Sequence, residues 1–169
     1  MIDRLLKVDL PQGPGWHRYN YDGYGQKDDG SPFDGTDVGR AWPILTGERG
    51  HYELALGNDP KPFNTAMEGF ANEGGMLSEQ LWDAADIPEK ELWRGKPTGA
   101  AMPLCWSHAE YLSLVRSTHD SVCFDRVEPA FQRYVVNART NTHEMWSALR
   151  PQKLLVSGVM RCGVLDIVY

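Results

Sequence analysis

Apolar residues recur at helical spacing in four stretches of the 169-residue chain. From about 45 to 57, Leu45, Tyr52, Ala55 and Leu56 share one face, and Gly57 stands near the end. From about 62 to 73, Phe63, Met67, Phe70 and Ala71 fall at i, i+4, i+7 and i+8, an amphipathic stripe that Gly74 and Gly75 should stop. Between about 102 and 118, Pro103 suits a first turn, and Cys105, Ala109, Leu112 and Val115 form the expected buried face. The fourth stretch, about 126 to 137, places Val127, Phe131, Tyr134 and Val135 at the same spacing. Beyond it the period changes. "EMWSAL", "KLLVSG" and "GVLDIVY" are short, apolar and β-prone, and predict a small antiparallel ribbon at the C-terminal end. The pattern predicts an all-α domain of four or five helices with a terminal β segment.

The segments between these stretches are as informative. Residues 11 to 43, "PQGPGWHRYNYDGYGQKDDGSPFDGTDVGRAWP", hold four prolines and seven glycines, which is loop chemistry. A loop this long inside a compact domain is functional or disordered. Trp16, Tyr19, Tyr21, Tyr24, Phe33 and Trp42 make it too aromatic for disorder, so it is expected to be ordered and to line a cleft. A second loop, 74 to 97, contains Pro88 and Pro97. The two loops are expected to meet at one end of the helices.

Composition narrows the function. The net charge of −6 lacks the basic surface that a nucleic-acid partner requires. No apolar run approaches the roughly 20 residues that span a bilayer, so no membrane role is expected. The start, "MIDRLLKVDL", has no apolar signal core, and a cytoplasmic location is the default expectation. The three cysteines, at 105, 123 and 162, have no metal-binding or disulfide spacing, and are expected to be reduced and mostly buried. Six tryptophans and seven tyrosines stand out. Most belong in a core, but rings in glycine-rich loops can also stack on the C–H faces of sugars.

Most candidate motifs fail on spacing. His108 and Glu110 make an H-x-E without the downstream cysteines of a zinc deaminase, so His108 is expected to be structural. "DDGSPFDGTD" lacks the alternating acids and the twelfth-position glutamate of a calcium loop, and is expected to form an ordinary Asx turn. "GERG" lacks the ending of a phosphate loop, and no G-x-S-x-G is present. No metal or cofactor is expected. Glu79 remains, in "NEGGMLSEQLWD". It is either a surface carboxylate or one of the two carboxyl groups that hydrolyse a glycosidic bond. Gln80 and Trp82 beside it suit a sugar site.

Here the sequence resembles a known family. "GGMLSEQLWD" is similar to the general-base motif of the inverting glucoamylase and glucodextranase family of glycoside hydrolases. "GPGWHRYNYDGYG", "SPFDGTDVGRAWPILTGERGHYELALG", "GFANEGGMLSEQLWD" and "GKPTGAAMPLCWSHAEYLSLVRS" resemble blocks of its prokaryotic members, in order and at the family's spacing. The tail, "HEMWSALRPQKLLVSGVMRCGVLDIVY", is similar to the family's closing β segment but departs more. The resemblance implies that Glu79 activates the attacking water, that Arg18 binds sugar and that Trp42 packs on the substrate. Tyr19, Trp82 and Trp106 are either walls of the same cleft or core residues.

The resemblance also implies an α/α toroid of twelve helices in six hairpins. With about 11–12 residues per helix plus loops, twelve helices need well over ~200 residues. The expectation is therefore part of a toroid at 1–141 and a terminal β segment packing on it at 142–169. The family's general acid lies upstream in a segment that nothing here matches. Two functions follow. One is a glucoamylase-type hydrolase (glucan 1,4-alpha-glucosidase) that releases glucose from the non-reducing ends of α-glucans, with the acid missing from this chain. The other is a non-catalytic remnant that at most binds sugar or pairs with another helical chain. A partial toroid is also expected to self-associate or to need the remainder of the barrel as a partner. The choice between α-1,4 and α-1,6 bonds is not legible.

Overall fold

The chain begins with a single helical turn, α1 (Ile2–Leu5), followed by a hairpin of β1 (Lys7–Leu10) and β2 (Gly13–Trp16). The strands pair antiparallel from Lys7↔Trp16 to Leu10↔Gly13. Part of the expected first loop is thus a strand. Its sequence, "GPGW", has almost no β-propensity. The hairpin forms because it buries Leu10 and Trp16, and because Thr46 donates a 3.1 Å hydrogen bond to the Pro14 carbonyl.

This computed structural model describes residues 1–137, 159–162 and 165–168. It comprises two units, Met1–Arg126 and Val127–Tyr169. Three helices build the first: α2 (Pro43–Ala55), α3 (Lys61–Phe70) and α4 (Cys105–Asp120). α2 packs on both α3 and α4. Leu10, Ala41, Ala66, Met67, Phe70, Leu77, Leu81 and Leu114 form the core, with Val8, Phe63, Ala71 and Tyr111 against it. The stripe expected on α3 is this core face.

The faces expected for α2 and α4 are corrected. α2 buries Pro43, Thr46, Gly47 and Gly50, whereas Tyr52 and Leu56 are 55% and 59% exposed. On α4 the buried residues are Ser107, Leu114 and Ser117, whereas Leu112 is 65% exposed and Cys105 and Ala109 also face out. Close packing selected small residues over large ones. A Cβ on Gly50 would lie 2.7 Å from Leu114 Cδ2, and one on Gly47 would lie 2.4 Å from Glu110 Cγ. Polar groups lock the same contact. His51 on α2 bonds Glu110 Oε1 at 2.8 Å and Ser117 Oγ at 3.0 Å, both on α4.

α3 also ends earlier than its glycines suggested. The helix stops at Phe70, and the Asn72 side chain accepts hydrogen bonds from the Gly74 and Met76 N–H groups at 3.0 and 2.9 Å. An asparagine that offers the backbone a turn competes with further helix. His108 is structural, as expected, because its Nε2 accepts a 3.0 Å bond from the Leu77 N–H. Asp29 makes the expected Asx turn, accepting from the Ser31 N–H at 2.8 Å. Cys105 is exposed and Cys123 half-buried, which corrects the expectation that the cysteines are mostly buried.

The second unit holds α5 (Glu128–Phe131), which continues as a π-helical turn (Gln132–Val136), and an antiparallel ribbon of β3 (Val159–Cys162) and β4 (Leu165–Val168). β4 lies in the expected "GVLDIVY" strand. "EMWSAL" and "KLLVSG" lie outside the described residues. No helix among the described residues is long and apolar enough to cross a membrane.

Candidate functional site

Glu79 sits on an extended segment that runs from the Asn72 turn to Asp83. Leu77, Leu81 and Trp82 are buried along it, and burying each such side chain contributes about 1.5–3 kcal/mol. Its backbone is hydrogen-bonded on two sides. The Leu81 N–H bonds the Ala41 carbonyl, and Glu79, Trp82 and Thr98 bond across to Ala101, Lys96 and Gln80. Isolated bridges pair Leu81 with both Ala41 and Pro97. The long loops therefore meet as expected, around Leu81.

Asp83 and Arg40 fasten the junction. Asp83 accepts from Arg40 at 3.0 Å, from the Ala41 N–H at 3.0 Å, and lies 3.2 Å from His17 Nε2. Arg40 also holds Asp28 at 2.8 Å and lies 4.4 Å from the Trp82 ring. Trp82 is thus a core residue, fully buried, with its indole N–H bonded to the Ala85 carbonyl at 2.7 Å.

The three residues singled out in sequence come together. Trp42 caps the start of α2, and Arg18 lies in the first loop with its guanidinium 4.7 Å from the Trp42 ring centre. Tyr24 links both to Glu79. Its ring is 5.1 Å from the Arg18 guanidinium and 6.4 Å from the Trp42 ring, and its hydroxyl donates to Glu79 Oε2 at 3.1 Å. Trp106, in the first turn of α4, stands edge-on to Trp42 at 6.4 Å and is 58% exposed. Tyr19 is also exposed and lies 5.2 Å from Arg18. These two are rim residues.

Electrostatics order the cluster. Arg18 donates to both oxygens of Asp22, at 2.7 and 2.8 Å, and this hydrogen bonding raises the guanidinium above its ordinary value. Burial opposes ionisation of Asp22, but Arg18 and the Tyr24 N–H outweigh it and hold the carboxyl below the ordinary 3.8. The hydrogen bond to Glu79, with burial, pushes the Tyr24 phenol above its ordinary 10.0. Tyr24 therefore stays protonated and remains a donor. The Trp42 indole N–H is buried and has no hydrogen-bond acceptor among the described residues. Asp22 and Tyr24 were not singled out by sequence reasoning. Their only signal was the aromatic richness of the loop and the i, i+4 spacing of Arg18 and Asp22.

Loops at the starts of α2 and α4 thus gather a carboxylate, a paired arginine and two edge-on indoles, groups of the kinds that bind carbohydrate. Residues 2–116 match the family Glycosyl hydrolases family 15. The chain belongs to that family. It is 46% identical over 135 residues to a glucoamylase of Clostridium sp. (strain G0005), covering 80% of this chain and 18% of that protein. Its fold matches a crystal structure of bacterial glucoamylase complexed with acarbose, with a TM-score of 0.72 and 46% identity, over 79% of this chain and 18% of that one. The described structure is thus mostly helical and corresponds to part of the glucoamylase toroid. The chain spans about one fifth of the length of these relatives.

Proposed function

We propose that this chain carries the water-activating half of an inverting glucan 1,4-alpha-glucosidase site, which releases glucose from the non-reducing ends of α-glucans. Glu79 is the general base. As the oxygen of water bonds to the anomeric carbon, Glu79 takes the water's proton. The bond from that carbon to the glycosidic oxygen breaks, and the leaving oxygen takes a proton from a carboxylic acid across the cleft. Arg18 donates hydrogen bonds to sugar hydroxyls, and the exposed Trp106 supplies apolar surface for the ring, with Trp42, buried in this chain at 4% exposure, behind it. The observation that carries the reading is the convergence of Arg18, Trp42 and Glu79 around Tyr24.

Asp22 is unsuited to be the acid, because Arg18 holds it ionised. The proton for the leaving oxygen therefore comes from another helical segment, which would also cover the exposed faces of α2 and α4. The chain alone is then expected to release no useful glucose from maltooligosaccharides. It is expected to hydrolyse α-glucosyl fluoride, whose fluoride leaves without being protonated. A positioned base contributes about 10²–10⁴-fold, so Glu79→Gln should reduce fluoride release by at least two orders of magnitude. Normal turnover in Glu79→Gln would remove Glu79 from the role. Acarbose binding without any fluoride hydrolysis would favour the sugar-binding remnant instead.

A further inference from the structure

We infer that Tyr24 is a positioning residue for the general base: its hydroxyl holds one oxygen of Glu79 so that the other is presented to water. The inference rests on the reading of Glu79 as the base. It stands on how thoroughly Tyr24 is itself held. Its backbone N–H donates to Asp22 Oδ1 at 3.0 Å, and its carbonyl accepts from the Gln80 side chain at 3.0 Å. Gln80 is fully buried and adjoins Glu79, so the same short segment that carries the base also anchors Tyr24. The ring is clamped as well. Phe33 meets it edge-on at 5.0 Å and 78°, and Arg18 lies 5.1 Å from its centre.

The chemistry of the contact suits the task. A carboxylate side chain on a partly open segment can rotate, and a base that rotates presents its lone pair to water only part of the time. A fixed O–H donor to Oε2 selects one rotamer. The phenol, pushed up by Glu79, keeps its proton over the range in which a glycosidase base works, so the bond persists through turnover. Tyr24 also couples the base to sugar recognition. Arg18 touches the Tyr24 ring, the Trp42 ring and the Asp22 carboxylate at once.

The test uses the 169-residue chain with α-glucosyl fluoride. In that reaction water bonds to the anomeric carbon, fluoride leaves with the C–F electron pair, and Glu79 takes the proton. Tyr24→Phe keeps the ring and deletes the hydroxyl. We expect kcat to fall about tenfold while KM changes by less than about twofold, because the hydroxyl acts on the base and not on bound sugar. In Glu79→Gln, ultraviolet titration should show one tyrosine ionising at lower pH than in the parent chain, and Tyr24→Phe should remove that tyrosine from the titration. If Glu79→Gln abolishes fluoride release but Tyr24→Phe leaves kcat unchanged, the base reading stands and the role of Tyr24 is overturned. If the parent chain releases no fluoride, or Glu79→Gln releases it normally, both fall. Should Tyr24→Phe fail to fold, an unmoved tyrosine titration in Glu79→Gln would by itself refute the contact.

Discussion

Arg18 is only as well placed as its counter-ion. Asp22 is buried, grips Arg18 through both oxygens and takes the Tyr24 N–H as well. Its folded pKa lies below the unfolded value near 3.8, so the pair contributes stability that is present above that value and lost as pH falls through the folded one. Asp22→Asn should therefore be less stable than the parent at neutral pH, yet lose less melting temperature between pH 5 and pH 3. Melts of both proteins across that window check the sign, and an unchanged acid dependence would exclude the pair as a contributor. Glu79, Arg18 and Trp42 were candidates at this scale because each lies inside a distinctive sequence block. Tyr24 and Asp22 were not: the significance of Tyr24 depends on residue 24 meeting residue 79, and Asp22 is one loop acid among several until the fold sets it against Arg18.

Among the elements, the α2–α4 contact is the least expected. Helical periodicity marks which residues share a face, but not which face turns inward. Here the inward faces are small and polar, since Gly47, Gly50 and Ser117 let the helices approach and His51 bridges them. Glu110 raises the His51 pKa above its ordinary 6.5, with Asp125 acting in the same direction and Glu48 also facing the pair. A raised folded value gives stability that is complete below the unfolded pKa and lost as pH rises through the folded one. The chain should thus melt at a lower temperature at pH 9 than at pH 6, and His51→Gln should shrink that difference. Gly50→Leu places side-chain atoms where Leu114 and Phe63 already stand. Overpacking of this kind costs about 1–3 kcal/mol, which denaturant unfolding would register.

For the molecule as a whole, the same inversion leaves large apolar side chains outside. Tyr52 and Leu56 on α2, with Trp106, Leu112 and Val115 on α4, are exposed. Such surface marks an interaction face where it is contiguous over more than a few hundred Å². Sedimentation of the 169-residue chain should show concentration-dependent association, and Leu112→Glu should reduce it. A monodisperse monomer at high concentration would argue that these faces need no cover.

Local chemistry alone determined a good deal of this protein. The α3 stripe, the helical character of the chain and the two ordered aromatic loops follow from spacing and residue type, and the block around Glu79 stands out by its resemblance to a family motif. Each depends on interactions between residues close in sequence, or on a motif that keeps its residues in one segment. What only the tertiary structure decided are matters of long-range approach. A "GPGW" stretch becomes a strand because Leu10 and Trp16 have a core to enter. Trp82 is core and Trp106 is rim, although both are tryptophans beside a glycine- or proline-rich loop. The glycines and serines of α2 and α4 face inward because two backbones can approach closely only where side chains are small, and no periodicity in one helix records the helix it will meet.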